Sequence, residues 1–225
     1  MNERLNKYLA LQLGVSRREA DELIAAGHVT VDGHVASLGA RIETTTTVSV
    51  KGKPLDGHVD FKYIALHKPV GYVSSRRKQG DSPTIYELLP EALHSMKTVG
   101  RLDRESSGLM ILSNDGDFTF EMTHPKFYKT KIYEVSLDQP LAPLHQQIIS
   151  DQGITLEDGQ SKLILERTDD SREHWTVTMH EGRNRQIRRT FGALGYEVTR
   201  LHRTHFGPYK LGDLAEGTLQ TVTKK

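Results

Sequence analysis

The chain has 225 residues, of which 36% are hydrophobic and 26% charged, and its formal net charge is +1. This length fits one large domain or two smaller ones, and the absence of cysteine excludes disulfides, thiolate nucleophiles and cysteine-based zinc sites. No apolar run approaches the roughly 18 residues of a transmembrane helix and no signal-peptide core follows the N-terminus, so we expect a cytoplasmic protein without a membrane partner.

Residues 1–50 have the pattern of a small α/β module. The predicted elements are, in chain order, a helix over 5–13, a second helix from Ser16 to Gly27, a hairpin that turns at Asp32-Gly33, and a strand over 48–50. The spacing of Ser16 and Glu19 is that of a capping box, in which each side chain accepts a hydrogen bond from the other residue's backbone N–H. The module contains five Lys or Arg and six Asp or Glu. Binding to an anionic partner would therefore require a local cluster of its basic side chains.

A polar segment with Gly and Pro, residues 51–59, is predicted to be a linker. In the remainder, 60–225, strand and helix patterns are mixed. The predicted strands are 63–66, 109–112, 131–137 and 175–179, and the predicted helices are 143–149 and 184–194. Asn114-Asp115-Gly116 is predicted to be the turn that ends the second of these strands. The predicted fold class is α+β: a small α/β module, then a larger domain with helices flanking a mainly antiparallel sheet.

Positive charge is concentrated in two stretches of the larger domain. From Phe61 to Gly80 there are five Lys or Arg and no acidic residue, and from Glu181 to Lys210 there are seven against two. Such stretches neutralise phosphates if they converge on one face, although charged runs are more often ordinary solvated surface.

A short polar loop places Asp103 between Arg101 and Arg104, immediately before the apolar strand predicted over 109–112. A carboxylate on a loop that is anchored to rigid core is well placed for catalysis. A lone aspartate between arginines is, however, more often a salt-bridged loop residue. The residue pattern leaves both interpretations open.

The predicted helix over 184–194 has an apolar face that includes Phe191. Arg185 and Arg189 lie opposite that face and are expected to meet solvent or phosphate. Arg188 borders the apolar face. Its guanidinium therefore needs an anionic partner, or else it extends along Phe191 to water.

Four strings in residues 60–215 resemble motifs of the RNA pseudouridine synthases. They are Gly-Arg-Leu-Asp-Arg-Glu-Ser-Ser-Gly-Leu at 100–109, His-Lys-Pro-Val-Gly-Tyr at 67–72, Lys-Ile-Tyr-Glu-Val at 131–135 and Glu-Gly-Arg-Asn-Arg-Gln-Ile-Arg-Arg at 181–189. The first is long and quite specific. Residues 3–50 are similar to the S4 RNA-binding domain in their helix, helix, hairpin order. Together these features resemble the RsuA/RluB-type enzymes of ribosomal RNA.

The resemblance implies isomerisation of uridine, in which C1′ leaves N1 of the base and joins C5. No redox change and no external atom is involved, so we expect no cofactor and no metal. The family pattern assigns Asp103 to the ribose, as nucleophile on C1′ or as base for the 2′ proton. It implies Arg188 as the partner of Asp103, with Arg183 as second choice. Tyr133 would stack on the uracil and help move the C5 proton; outside the family it would be read as a core aromatic.

The residues expected to bind RNA come from both domains. In the catalytic domain, 60–225, they are Lys68, Arg101, Arg183, Arg185, Arg189 and Leu201, and in the S4-like domain, 1–50, they are Arg4, Lys7, Arg17 and Arg18. Leu201 matches a family position near the base and is equally compatible with plain core. The expected partner is ribosomal RNA, bound by a monomer.

Large-subunit ribosomal RNA is the favoured substrate, because residues 174–195 look closer to the large-subunit enzymes. Small-subunit ribosomal RNA, tRNA, and a non-catalytic role in ribosome assembly are the alternatives. Asp103 favours an enzyme over a binding protein, because a carboxylate in a basic groove repels phosphate. A glycoside hydrolase is less well supported, since it needs two placed carboxylates and only Glu105 is near. His202-x-x-His205 is the nearest spacing to a metal site, and such pairs are usually structural.

Overall fold

The structure is a computed structural model that describes residues 2–43 and 45–225. Its backbone contacts divide the chain between Lys62 and Tyr63 into two compact units. Among the described residues, no helix is both long and apolar enough to cross a lipid bilayer.

The first unit contains two helices and short antiparallel strands. Its elements are β1 (Glu3–Arg4), α1 (Leu5–Leu13), α2 (Arg17–Ala25), β2 (Val29–Val31), β3 (His34–Val35), β4 (Arg41–Ile42), β5 (Val48–Val50) and β6 (Lys53–Pro54). One sheet has the strand order β3-β2-β5-β6, and β1 pairs with β4. Lys53–Pro54, within the segment expected to be a linker, thus forms a strand beside β5.

The predicted capping box at the start of α2 is confirmed. The Ser16 Oγ accepts from the Glu19 N–H at 3.1 Å, and the Glu19 carboxylate accepts from the Ser16 N–H at 2.6 Å. The predicted hairpin is confirmed as well, because Asp32 and Gly33 have φ of 48° and 82° between β2 and β3. Positive φ at both central residues is what a two-residue hairpin turn requires.

The second unit is built on one large sheet with flanking helices. Its elements are β7 (Tyr63–Lys68), β8 (Lys97–Val99), β9 (Ser107–Ser113), α3 (Gly116–Thr123), β10 (Lys131–Leu137), α4 (Pro143–Gln147), β11 (Ile154–Leu156), β12 (Gly159–Ser161), β13 (Ile164–Arg167), β14 (His174–Met179), α5 (Gln186–Gly192), β15 (Val198–Phe206), β16 (Tyr209–Lys210) and β17 (Leu219–Thr221).

The strand order of the large sheet is β13-β14-β10-β15-β9-β7-β17, with β8 also on β9 and β16 on β15. β11 and β12 form a separate hairpin. Among the described strands only β9 and β15 pair in parallel, so the predicted mainly antiparallel sheet and the α+β class are confirmed.

β9 is buried on both faces, which explains its uninterrupted apolar run. Met110 and Leu112 belong to the larger hydrophobic cluster, whereas Leu109 and Ile111 belong to a second cluster with Phe118. Successive side chains of a strand point to opposite faces. The sheet therefore has a core on each side, and β9 is held firmly at its centre.

Several element boundaries differ from the predictions. β9 ends just before Asn114-Asp115-Gly116, as predicted, but the segment leads into a helix that was not predicted: the Asp115 carboxylate caps α3 by accepting from the Phe118 N–H at 2.9 Å. α5 begins at Gln186 and not at 184, because Arg185 has a left-handed φ of 48°. The helix predicted over 143–149 ends at Gln147, followed by a wider π turn.

Candidate active site

The second unit has a cleft of about 560 Å³ whose walls come from separate parts of the chain. Asp103 and Arg101 enter it from the loop before β9, and Tyr133 from β10. Arg185 lines it from the segment before α5, and Leu201 from β15. The structure thus brings together five residues that sequence reasoning selected from four distant segments.

The loop that carries Asp103 is fixed by hydrogen bonds to the segment after β7. The Ser74 Oγ donates to the Leu102 carbonyl at 2.6 Å and accepts from the Leu102 N–H at 3.2 Å. The Gly71 N–H donates to the Arg104 carbonyl at 2.8 Å. Asp103 lies between these two anchors, so its backbone position is set by rigid neighbours.

The parallel pairing of β9 and β15 places this loop against the floor of the cleft. Gly108 is opposite Arg203 in the register, and Arg203 is in turn opposite Tyr133 on β10. Gly108 has a φ of 109°, and a Cβ built there would lie 2.3 Å from the Arg203 carbonyl oxygen. The glycine at the start of β9, directly after the loop, is therefore required by the close approach of the two backbones.

The nearest guanidinium to Asp103 is that of Arg185. The Arg185 Nη1 lies 3.9 Å from the Asp103 Oδ2 and 2.8 Å from the Glu105 Oε2. The Asp103 side chain is 32% exposed, so it is open to the cleft. The hydrogen bond from Arg185 lowers the pKa of the Glu105 carboxyl below its usual value. One guanidinium thus bridges both carboxylates of the loop.

Arg188 does not make the direct contact with Asp103 that the resemblance implied. Its Nη1 donates to the Val198 carbonyl at 2.5 Å and its Nη2 to the Glu105 carbonyl at 3.1 Å. Burial lowers the pKa of this guanidinium, while the charges of Glu105 and Asp103 act in the opposite direction. Arg188 therefore holds the backbone of the loop, and it acts on Asp103 only through space.

Lys68 was expected to bind substrate, but its side chain is buried inside the protein. It is fully buried, and its Nζ donates to the Ser106 carbonyl at 2.6 Å and the Pro69 carbonyl at 2.8 Å. Burial lowers the pKa of its ammonium to about 8, opposed by the negative charges of Asp103 and Glu105. A buried ammonium does not reach an RNA phosphate. Lys68 instead supports the loop from beneath.

Tyr133 and Leu201 both line the cleft and are 7% exposed. Tyr133 lies on β10 opposite Arg203 of β15, and Leu201 is opposite Val135. This register places an aromatic ring and an aliphatic side chain on one wall. The wall is apolar enough to receive a nucleobase.

The other predicted arginines divide into two groups. Arg101 is exposed at the cleft. Arg183 and Arg189 both pair with Asp158, between β11 and β12: the Asp158 Oδ1 lies 2.8 Å from the Arg183 Nη1, and its Oδ2 lies 2.7 Å from the Arg189 Nη2. Arg183 lines the cleft, but its charge already has a partner.

In the first unit, Arg4, Arg17 and Arg18 are exposed, and Lys7 is half-buried. The Arg17 Nη2 donates to the Asn6 Oδ1 at 3.1 Å. The Lys7 Nζ lies 3.3 Å from a Glu3 carboxylate oxygen. Arg17 and Arg18 stand in the first turn of α2, where the helix dipole adds to their positive field.

Sequence reasoning missed two cationic side chains of the cleft, Lys131 and Arg203. The Lys131 Nζ donates to the Glu181 carbonyl at 3.0 Å, and burial, followed by the charge of Arg203, lowers its pKa to about 8. Arg203 is 2% exposed and donates from Nε to the Leu109 carbonyl at 2.8 Å. The sequence could have indicated Lys131, because it lies two residues before Tyr133 in a strand, and such residues share one face of β10. Among the described residues no group of three or more His, Asp or Glu side chains is placed to hold a metal ion.

Comparisons with known proteins agree on one family. The sequence model described as RNA pseudouridylate synthase matches residues 62–193, and that of the S4 domain matches residues 3–48. The chain is 35% identical to the ribosomal small subunit pseudouridine synthase A of Pasteurella multocida, over 98% of this chain and 96% of the relative. It is 33% identical to the ribosomal large subunit pseudouridine synthase B of Bacillus subtilis, over 98% and 92%. A solved structure described as a crystal structure of pseudouridylate synthase aligns with a TM-score of 0.70 and 31% identity, over 98% of this chain and 96% of that one.

Proposed function

The chain belongs to the RNA pseudouridylate synthase family, and from this premise we propose that it converts uridine to pseudouridine in ribosomal RNA with Asp103 at the ribose. The observation that carries the proposal is the position of Asp103, which is open to the cleft and 3.9 Å from the guanidinium of Arg185. The isomerisation requires a carboxylate that can reach the ribose of a bound uridine, and Asp103 lines the cleft.

The reaction conserves every atom of the nucleoside. The bond from C1′ to N1 breaks, the uracil turns, and C1′ bonds to C5; C5 then loses its proton and N1 ends protonated. Asp103 either attacks C1′ or removes the 2′ proton, and both routes require the same ionised carboxylate at the ribose. We assign the movement of the C5 proton to the Tyr133 hydroxyl, since Tyr133 lines the same cleft.

The target uridine must leave its stack to enter the cleft, which costs a few kcal/mol in a duplex. Leu201 and the Tyr133 ring offer the flipped base an apolar wall, and both line the cleft. Arg101, which is exposed at the cleft, is assigned to the neighbouring phosphate. We assign three further arginines to the RNA backbone: Arg183, Arg185 and Arg189. Arg183 and Arg189 would exchange their ion pairs with Asp158 for contacts with phosphate.

We assign RNA binding by the first unit to Arg4, Lys7, Arg17 and Arg18. The match of residues 3–48 to the S4 domain supports this role. Changing Arg17 and Arg18 together to Gln should flatten the log–log salt dependence of RNA affinity by roughly 0.9 per lost contact on duplex-like RNA. An unchanged slope would show that residues other than Arg17 and Arg18 make the contacts with RNA.

Within ribosomal RNA we propose the large subunit as the substrate, on the likeness of residues 174–195 to the large-subunit enzymes. The relatives named for the two subunits are 35% and 33% identical to this chain, so overall identity does not choose between them. The test is tritium release from transcripts of each ribosomal RNA that contain 5-tritiated uridine. We expect release from the large-subunit transcript. Tritium release from the small-subunit transcript alone would make small-subunit ribosomal RNA the substrate. Release from neither transcript would show that ribosomal RNA is not the substrate.

A further inference from the structure

An exposed group of aromatic side chains lies on and just after α3. It consists of Phe120, His124, Phe127 and Tyr128, which we call the aromatic platform. Phe120 is 48% exposed, Phe127 38% and Tyr128 75%. Large aromatic side chains are normally buried, so a cluster of them in solvent indicates an interaction surface.

Three rings of the aromatic platform, those of Phe120, His124 and Phe127, contact one another, and a cation lies over two of them. The ring centroids of Phe120 and His124 are 4.6 Å apart, and those of Phe120 and Phe127 are 5.9 Å apart at right angles. The Lys126 Nζ lies 5.1 Å from the Phe120 centroid and 4.7 Å from the Phe127 centroid. The patch therefore combines aromatic faces with one positive charge.

Packing of the core does not account for this patch. α3 is held to the second unit by Phe118 and Met122, which are 1% and 2% exposed and belong to the same hydrophobic cluster. Phe120 and Phe127 lie outside that cluster's buried residues. Their rings can therefore meet a ligand without loosening the helix.

The aromatic platform is continuous with the candidate active site. His124 and Pro125 line the same cleft as Asp103 and Tyr133. Phe127 and Tyr128 follow within three residues and are exposed. The aromatic platform therefore begins at the edge of the cleft, next to where nucleotides that flank a bound uridine would lie.

We propose that the aromatic platform stacks the unpaired nucleotides that flank the target uridine, with Lys126 beside their phosphates. Aromatic side chains and cations together are the usual means of binding single-stranded nucleic acid. Bases in a duplex present only their edges, so the platform selects uridines in loops or bulges. This inference rests on the proposed function, because it takes the cleft as the site of the uridine.

The test uses the full chain with Phe127→Ser and Tyr128→Asn combined. Asparagine tolerates the left-handed φ of 47° at position 128. The probe is an oligouridylate of about 12 nucleotides, single-stranded or annealed to its complement. We expect the single strand to bind roughly tenfold more weakly to the variant, and the duplex to bind equally to both proteins.

Three further variants separate stacking from other effects. Leu144→Ser removes an apolar side chain on α4 that is 64% exposed, between the values for Phe127 and Tyr128, and should leave affinity unchanged. Phe127→Tyr keeps a ring and should keep affinity. Lys126→Gln should flatten the salt dependence by about 0.7, whereas the aromatic variants should leave that slope unaltered.

Ultraviolet crosslinking of the single strand identifies the contact directly, and we expect crosslinked peptides that contain Phe127 and Tyr128. Unchanged single-strand affinity in the double variant, or equal losses on single strand and duplex, would overturn the proposal. The proposal would also be overturned if the double variant kept its RNA affinity but no longer co-purified with a protein that accompanies the wild type. That result would make the patch a protein-binding surface. If wild-type protein releases no tritium from any transcript while the stacking effect persists, the proposed reaction fails and the RNA-binding surface stands.

Discussion

Gly108 and Arg203 face each other across the parallel pair of β9 and β15 with no room for a side chain between them. A Cβ on Gly108 would lie 2.3 Å from the Arg203 carbonyl oxygen and 2.6 Å from its nitrogen. This contact fixes the end of the Asp103 loop against the floor of the cleft, since Arg203 is also opposite Tyr133.

Gly108→Ala should therefore destabilise the protein strongly, because either the backbones separate or the new methyl group overlaps a carbonyl. We expect a loss above about 3 kcal/mol, from strain and overpacking together, measured by urea denaturation. Gly195→Ala is the matched control, with a φ of 84° and nothing within 4 Å of the added Cβ. It should lose only about 1 kcal/mol. Equal losses in the two variants would show that the close approach to Arg203 is not the cause.

Asp103→Asn should abolish pseudouridine formation and leave RNA affinity unchanged or slightly higher. Asparagine keeps the shape of the side chain but is neither a nucleophile nor a base, and one negative charge leaves a basic cleft. Tritium release and a binding assay on the same transcript measure the two effects. Glu105→Gln removes the neighbouring charge of the same loop and should retain measurable turnover. Wild-type release by Asp103→Asn would refute the role of Asp103 and make Glu105 the candidate.

Tyr133→Phe should slow isomerisation severely, by at least about 100-fold, because only the hydroxyl that handles the C5 proton is lost. The ring stays, so stacking on the uracil and RNA affinity should be nearly intact. Single-turnover tritium release separates the chemical step from binding. A variant with full turnover would leave Tyr133 as a packing residue of β10.

Arg188→Met and Arg185→Met should differ in stability. Arg188 donates to the Val198 and Glu105 carbonyls, and leaving these acceptors unpaired costs about 1–3 kcal/mol. Arg185 is 43% exposed, so its ion pairs contribute below about 1 kcal/mol.

Double-mutant cycles with Asp103→Asn test the pairing itself. For unfolding we expect Arg188→Met and Asp103→Asn to couple by less than about 1 kcal/mol, since the two side chains share no hydrogen bond among those described and interact only through space. A coupling above about 1 kcal/mol for Arg188 and Asp103 would restore the direct pair that the family resemblance implies.

Because of Lys68, the free energy of unfolding should increase as the pH rises above about 8. Its pKa is about 8 in the folded state and 10.5 as its ordinary value, so between these pH values the unfolded chain binds more protons. The free energy of unfolding then rises with pH, by up to about 1.4 kcal/mol per pH unit for one lysine. Below pH 8 both states are protonated and the cost of burying the charge is fully present. Urea denaturation across this range measures the slope.

Lys68→Met should reduce that slope, and Lys131→Met should do the same, because burial also lowers the pKa of Lys131 to about 8. The protein with both changes should show the flattest profile. A Lys68→Met profile parallel to that of the wild type would mean that the buried ammonium does not titrate here.

Local patterns predicted much of the fold. The capping box at Ser16, the hairpin at Asp32-Gly33 and the alternating strand over 131–137 depend on neighbours in sequence, and all three are present. α3 was missed because Asp115-Gly116 is as typical of a turn as of a helix start. Asp115 also accepts a hydrogen bond from the Tyr63 hydroxyl at 2.8 Å, a contact between residues far apart in the chain that no local pattern predicts.

The candidate site shows the same division between features that local sequence patterns predict and features that depend on tertiary contacts. The motif strings selected Asp103 and Tyr133, and a further family position selected Leu201; all three line one cleft. The partners of the arginines could not be predicted, because they depend on backbone angles and on loops from other segments. The left-handed Arg185 brings its side chain to Glu105, and helical periodicity alone had assigned it to solvent or phosphate.

Asp158, between β11 and β12, has a consequence for how strongly Arg183 and Arg189 can bind RNA. Its single carboxylate contacts both guanidiniums, at 2.8 and 2.7 Å, so one negative charge is shared by two positive ones. A phosphate that binds either arginine must displace this carboxylate, and loss of the ion pairs offsets part of the free energy gained from the phosphate. The two arginines therefore contribute less to RNA affinity than unpaired arginines would, and Asp158→Asn should tighten RNA binding.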